Sequence, residues 1–236
     1  MEHLIELRKR LLISFAAVAL CGIFVFIFYS HVLTFLSGPY EHVTRNSQGC
    51  GNHGCKLIVT GPLDPLMVRL KIAGYGGLAL SVPIVMWQVW RFIVPGLHQR
   101  ERRYAVAFVL GSIVLFAMGC VVAWFTVEKA LDFLLGIGGS GLRPLIDANK
   151  YLTLVMLMIA AFGFSFEFPL LLIFLLLVGA VTTAQLRHVR RFAAVGITTF
   201  AAIITPSQDP FSLLFMAIPL YLFYEASILI GRVMKR

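Results

Sequence analysis

The chain has 236 residues, 59% of them hydrophobic and 13% charged, with a mean hydropathy of +0.89. A soluble domain is about a quarter charged, so the composition excludes one and describes an integral membrane protein. Lys and Arg outnumber Asp and Glu by 20 to 11, for a formal net charge of +9; in a membrane chain that excess must be sorted by side before it can suggest nucleic acid.

Crossing a hydrocarbon core of ~30 Å takes about 20 helical residues. In chain order, apolar runs that meet or approach this length lie at 11–29, 68–93, 104–127, 151–178, 192–205 and 211–230, the last two separated by the breaker-rich "TPSQDP". They predict an all-α polytopic membrane protein of six transmembrane helices forming one domain over 1–236, with no internal repeat and no soluble domain. The first run follows "MEHLIELRKR", charged like the start of a signal peptide but without a small-residue cleavage site, so it reads as a retained helix. The fifth run spans only ~21 Å, which predicts a locally thinned bilayer. Pro83, Pro169 and Pro219 fall inside the second, fourth and sixth runs; each removes a helical hydrogen bond, and the resulting bends predict a concave surface.

With the N-terminus in the cytoplasm, the basic residues on that side are Arg8, Lys9, Arg10, Arg91, Arg100, Arg102, Arg103, Arg187, Arg190, Arg191, Arg232, Lys235 and Arg236. These make up 13 of the 20, and the bias predicts that both termini are cytoplasmic. Each cluster is a short juxtamembrane group, so nucleic acid loses its support as a partner and membrane lipid takes its place.

The outer segment at about 30–64 contains "CGNHGC". On the oxidising side of a membrane, a small disulfide loop closed by Cys50 and Cys55 is the plain reading; a metal site using His53 with the two thiolates would lack a fourth ligand. Cys21 and Cys120 lie in apolar runs as packing residues. No phosphate loop, HExxH motif or Ser-His pair occurs in the spans, so neither catalysis nor a cofactor is expected. Ser165 has Glu167 nearby but no histidine at membrane depth, which argues against an intramembrane protease.

Glu167 stands in "AAFGFSFEFPLLLIFLLL". A carboxylate at bilayer depth costs about 3 kcal/mol and tends to be neutralised, paired or wetted. Pro169 frees the Ser165 carbonyl close by, concentrating polarity at one depth. A proton-coupled secondary transporter would use such an acid, although the second candidate, Glu225, lies nearer a helix end and no inverted repeat is visible.

The cytoplasmic segments hold three acids, Glu2, Glu6 and Glu101, among the 13 basic residues. Two readings of them are open. Glu6 can pair locally with Arg10 at i,i+4, and Glu101 with adjacent arginines. Alternatively the two carboxylates together receive a cationic ligand, for which guanidinium groups fit best.

The segments "HLIELRKRLL", "PIVMWQVWRFIVPGLHQRERR", "FGFSFEFP", "ITPSQDPFS" and "AIPLYLFYE", in this order through all six runs, resemble the TatC family of twin-arginine translocase receptors. The resemblance implies a concave, glove-like fold with both termini cytoplasmic. It also implies a receptor in the cytoplasmic (inner) membrane that binds twin-arginine signal peptides and recruits TatB- and TatA-type single-span partners for export driven by the proton-motive force. Residue by residue, it assigns Glu6, Arg8, Phe92, Pro95 and Glu101 to signal binding, with Arg8 orienting Glu6. It matches Glu167 and Gln88 to intramembrane polar positions and Pro39 to the first outer loop. It places partner docking on the fifth and sixth helices near Thr205. There the chain departs from the family's "TPPDxxSQ": "TPSQDPFSL" has one extra residue before Asp209, and Leu213 stands where Gln is expected, with Gln208 as a substitute from the loop.

Overall fold

A computed structural model describes residues 2–45, 56–93, 105–137 and 146–233. Its helices are α1 (Glu2–Ile27), α2 (Tyr29–Thr44), α3 (Asp64–Ile93), α4 (Ala105–Ile137), α5 (Ala148–Ser165), α6 (Phe168–Val178), α7 (Thr183–His188), α8 (Arg190–Ile204) and α9 (Pro210–Val233). Among the described residues α1, α3, α4, α5 with α6, and α9 are each long and apolar enough to span a bilayer. The sixth crossing is α8, whose 15 residues reach ~22 Å.

Four expectations are corrected. The outer segment is not all loop: Tyr29–Thr44 forms α2, whose mixed composition hid it from a search for apolar runs. The third span runs ten residues past 127, to Ile137. The first begins at Glu2 rather than 11, so Glu6, Arg8 and Arg10 are helical. The fourth run is two helices, not one bent one. Pro83 and Pro219 sit inside continuous helices, whereas Pro169 lies in the first turn of α6, where its missing N–H costs nothing.

Two seams set the arrangement. At the first, α1 packs on α3 with its glycines in contact: a Cβ on Gly77 would lie 2.6 Å from the Gly22 Cα, and one on Gly76 2.9 Å from the Val25 side chain. In lipid, where apolar surface alone does not drive helices together, such small residues allow backbone-to-backbone packing. Only 6% of the apolar window of α1 is buried, so α1 forms one edge of the molecule. The second seam joins α4 to α5, where a Cβ on Gly119 would meet the Phe162 carbonyl at 2.7 Å.

The far edge is α8, which packs on α9. The chain reaches it through a turn at Gly179, the C-cap of α6, whose φ of +76° is the left-handed conformation that glycine adopts without strain. Between the edges, α5 lines a shallow surface. A groove of ≈290 Å³ runs over Tyr75, Ala79, Met156 and Ala160, and one of ≈310 Å³ continues from Ala160 over Phe164 and Ser165 to Phe200 and Ile204.

On the face away from the chain ends, residues 56–61 lie against the start of α5. Ile58 bridges Asp147 in parallel, with Ile58 N–H donating to the Ile146 carbonyl (3.1 Å) and Ala148 N–H to the Ile58 carbonyl (2.7 Å). The Thr60 hydroxyl donates to Asp147 at 2.6 Å, and this bond with that from Lys150 N–H holds the Asp147 carboxyl below its ordinary range. Lys71 of α3 donates to Asn149 (2.8 Å) and Thr153 (2.9 Å) of α5.

Pro39 lies inside α2 and is buried there. Proline cannot donate to the carbonyl four residues back. One residue along, the Leu36 carbonyl accepts the Tyr151 hydroxyl at 2.8 Å, and the Tyr40 and Tyr151 rings pack 5.5 Å apart. Pro39 therefore belongs to a helix docked on α5 rather than to a loop.

Candidate functional site

The chain-end face is built where the start of α1 meets the end of α3. Arg10, one helical turn after Glu6, donates through Nη2 to Glu6 Oε1 and through Nη1 to the Gln88 main-chain carbonyl at 3.3 Å. The Arg10 side chain is 12% exposed and that of Glu6 40%. One guanidinium thus braces two helices and occupies one oxygen of the acid, while much of the carboxylate stays open to solvent.

This arrangement corrects the expectation for Arg8: the guanidinium on Glu6 is that of Arg10, and Arg8 is exposed with Ile5, Lys9, Leu12 and Ile13 around it. Helix geometry gives the reason, since residues two apart point to opposite sides and residues four apart stack. Gln88 lies in α3, and its main-chain carbonyl accepts from Arg10. Phe92 is half-buried near the end of α3, beyond Trp90, whose ring packs at 4.3 Å on Phe108 of α4 and 5.6 Å on Phe174 of α6. Pro95 and Glu101 lie outside the described residues, as do Cys50, His53 and Cys55.

Deeper in the membrane, α5 stops at Ser165 and α6 resumes at Phe168. Glu167 N–H bonds the Phe164 carbonyl at 3.1 Å, a contact one residue shorter than the helical one, and Leu171 N–H returns to the Glu167 carbonyl at 3.2 Å. Glu167 Oε2 accepts the Ser112 hydroxyl of α4 at 2.5 Å. Its Oε1 is buried without a partner, and so is the hydroxyl of Ser165, a residue 4% exposed. The two polar groups share a depth but serve different neighbours: Glu167 binds α4, while Ser165 lines the groove toward α8. Ser112 gives no sequence signal, being 55 residues from its partner.

At the α8–α9 corner, Thr205 is buried and its hydroxyl donates to the Ala201 carbonyl at 2.7 Å. Asp209 is also buried; Oδ1 accepts Ser212 N–H (2.8 Å), Oδ2 accepts the Ser212 hydroxyl (2.6 Å), and the Ser207 hydroxyl lies 2.9 Å from that of Ser212. Burial by itself would raise the Asp209 carboxyl, but the bonds from the two serines hold it below its ordinary range. Asp209 is thereby the cap of α9, ahead of Pro210 at the first helical position. The extra residue of this corner is absorbed by Gln208, which takes φ +49° and is exposed. Of the three residues that the resemblance assigns to docking, Gln208 is the one open to a neighbour.

Glu225 has a partner of its own, Arg190 at 2.6 Å, which ties α8 to α9. Glu225 is thus committed to an ion pair, whereas a transporter needs a carboxylate that exchanges protons. Among the described residues no three His, Cys, Asp or Glu side chains gather as a metal site requires. Helices of membrane length, a groove shared between them, and polar groups used for bracing define a multi-pass helical membrane protein that presents surfaces to other molecules.

Comparison with known proteins fixes which one. Residues 2–219 match the family model for the Sec-independent protein translocase protein TatC. The chain is 43% identical to the TatC of Frankia casuarinae over 98% of its own length and 35% identical to that of Corynebacterium kroppenstedtii over 100%, spanning 64% and 61% of those longer relatives. A crystal structure of the twin-arginine translocase receptor TatC superposes with a TM-score of 0.81 at 35% identity, covering 99% of this chain and 100% of that one. The chain belongs to the TatC family.

Proposed function

We propose that this protein is the receptor subunit of a twin-arginine translocase in the cytoplasmic (inner) membrane, with both termini in the cytoplasm. The observation that carries the reading is the half-exposed carboxylate of Glu6, already holding a guanidinium at the chain-end face. This carboxylate accepts a guanidinium, the group that an arginine pair would bring, and Glu101 would supply the second acid. Phe92 and Pro95 would shape the approach to it. The topology follows from the 13 basic residues that six crossings gather on one side.

The signal's apolar part then enters the grooved surface of α5, at whose depth Glu167 and Ser165 lie. Single-span partners of TatA or TatB type dock along α8 and α9, with Gln208 as the exposed polar contact. The chain catalyses no reaction and uses no cofactor; the proton-motive force supplies the energy. The test is copurification of the full chain with tagged signal peptides bearing Arg-Arg or Lys-Lys. Retention of the first and loss of the second is the expected result, and equal retention of both sinks the reading.

A further inference from the structure

Arg10 places on one oxygen of Glu6 the same group that a signal's arginine carries. We propose that Arg10 is a tethered competitor for Glu6: capture of a signal is an exchange of one guanidinium for another, and this exchange sets how tightly a cationic signal is held. The proposal rests on the receptor reading above and deepens it.

Three features of the site support the exchange. First, the pair is easily broken. An i,i+4 ion pair on a helix is worth a few tenths of a kcal/mol, and the Glu6 side chain is 40% exposed although Arg10 is largely covered, so an incoming group with better geometry can reach the carboxylate and replace it. Second, Arg10 has somewhere to go. Nη1 already holds the Gln88 carbonyl, so a displaced Arg10 keeps a partner and continues to brace α1 against α3. Third, the local charge favours an exchange over a simple addition. Residues 5–10 carry three cations and one carboxylate, and a dicationic peptide meets less repulsion if it takes over the carboxylate outright than if it crowds beside Arg10.

Arginine and lysine differ in the contact they make with the carboxylate, and Arg10 lowers the apparent affinity of both. An arginine replaces Arg10 with an equal planar fork of donors, whereas a lysine offers a compact ammonium whose contact with the carboxylate is a point. Arg10 competes with either ligand by the same factor, so it sets a threshold of affinity, and the weaker contact of lysine leaves that ligand below it.

The test uses the full chain in detergent micelles and two fluorescent signal peptides that differ only in Arg-Arg or Lys-Lys. Affinities are measured by anisotropy for the native chain, Arg10→Gln and Arg10→Lys, with the melting temperature of each. Glutamine reaches toward the Gln88 carbonyl without the charge. Arg10→Gln is expected to bind Arg-Arg and Lys-Lys each up to about fivefold more tightly, with the ratio between them unchanged. Arg10→Lys should fall between. If Arg10 is only a brace, Arg10→Gln weakens both peptides or leaves both affinities unmoved, and either outcome overturns the proposal. Should Arg10→Gln melt early, Arg10→Lys decides, because a weaker competitor must raise Arg-Arg affinity and an unchanged affinity overturns the idea. A native chain that fails to discriminate overturns the receptor reading and this proposal together; a discriminating native chain with unmoved variants overturns this one alone.

Discussion

Ser112 and Glu167 join α4 to the break in the fourth span through a 2.5 Å hydrogen bond, 55 residues apart in sequence and within the apolar bulk of the protein. Glu167→Gln keeps an acceptor for the Ser112 hydroxyl and is expected to retain export within about threefold, whereas Glu167→Leu leaves that hydroxyl unpaired, at a cost of about 1–3 kcal/mol, and should lose more. Export of a reporter carrying an Arg-Arg signal measures both. Equal damage from Gln and Leu would show that the carboxyl proton is needed.

Glu101→Ala is expected to abolish crosslinking of a signal peptide to the chain-end face while insertion and abundance of the protein stay normal. Photo-crosslinking in membrane vesicles reads the first and immunoblotting the second. Undiminished crosslinking removes Glu101 from the recognition site.

The seam between α1 and α3 has no room for a methyl group at Gly77, where the obstacle is backbone. Gly77→Ala should cost about 1–3 kcal/mol by forcing the helices apart. A Cβ on Gly74, three residues earlier, meets nothing within 4 Å, so Gly74→Ala should be neutral or stabilising by up to about 1 kcal/mol. Thermal unfolding in micelles separates the two.

Asp209 has a folded-state carboxyl held below its ordinary range by Ser207 and Ser212. The sign is that of a depressed acid: its contribution is complete above the unfolded value near pH ~3.9 and is lost as pH falls through the lower folded value. Asp209→Ala should cost about 0.5–2 kcal/mol as a lost helix cap, and Asp209→Asn, which still caps, considerably less. Melting curves at pH 3 and pH 7 should show the acid-labile increment in the native chain and its absence in Asp209→Asn.

Most of the fold was legible because the spans advertise themselves: long apolar runs became α1, α3, α4, α5 with α6, and α9 with shifted ends. What escaped depended on partners distant in sequence or on local chemistry outranked by a family pattern. The amphipathic α2 is held by the Tyr151–Leu36 bond and the Phe35–Trp124 stack, neither visible in a local window. The Glu6–Arg10 pair could be read from spacing alone, but its brace to Gln88 could not. In "QDPFS" an acid, a proline at the first helical position and a serine three residues after the acid spell a helix cap, a signal that the docking pattern obscured. The strain at Gln208 is how an extra residue fits without disturbing that cap.

The low burial of α1 has a consequence for how the protein senses its surroundings. The helix carrying Glu6 touches protein along one glycine seam and lipid elsewhere, and a helix so placed answers changes in hydrocarbon thickness by tilting. Any tilt about Gly22 swings the Glu6 end against the Gln88 carbonyl, with the Arg10 side chain as the flexible link between them. The composition of the host membrane therefore enters the geometry of the Glu6–Arg10 pair directly, and the protein moved from a thin bilayer to a thick one is, at its first helix, a differently shaped protein.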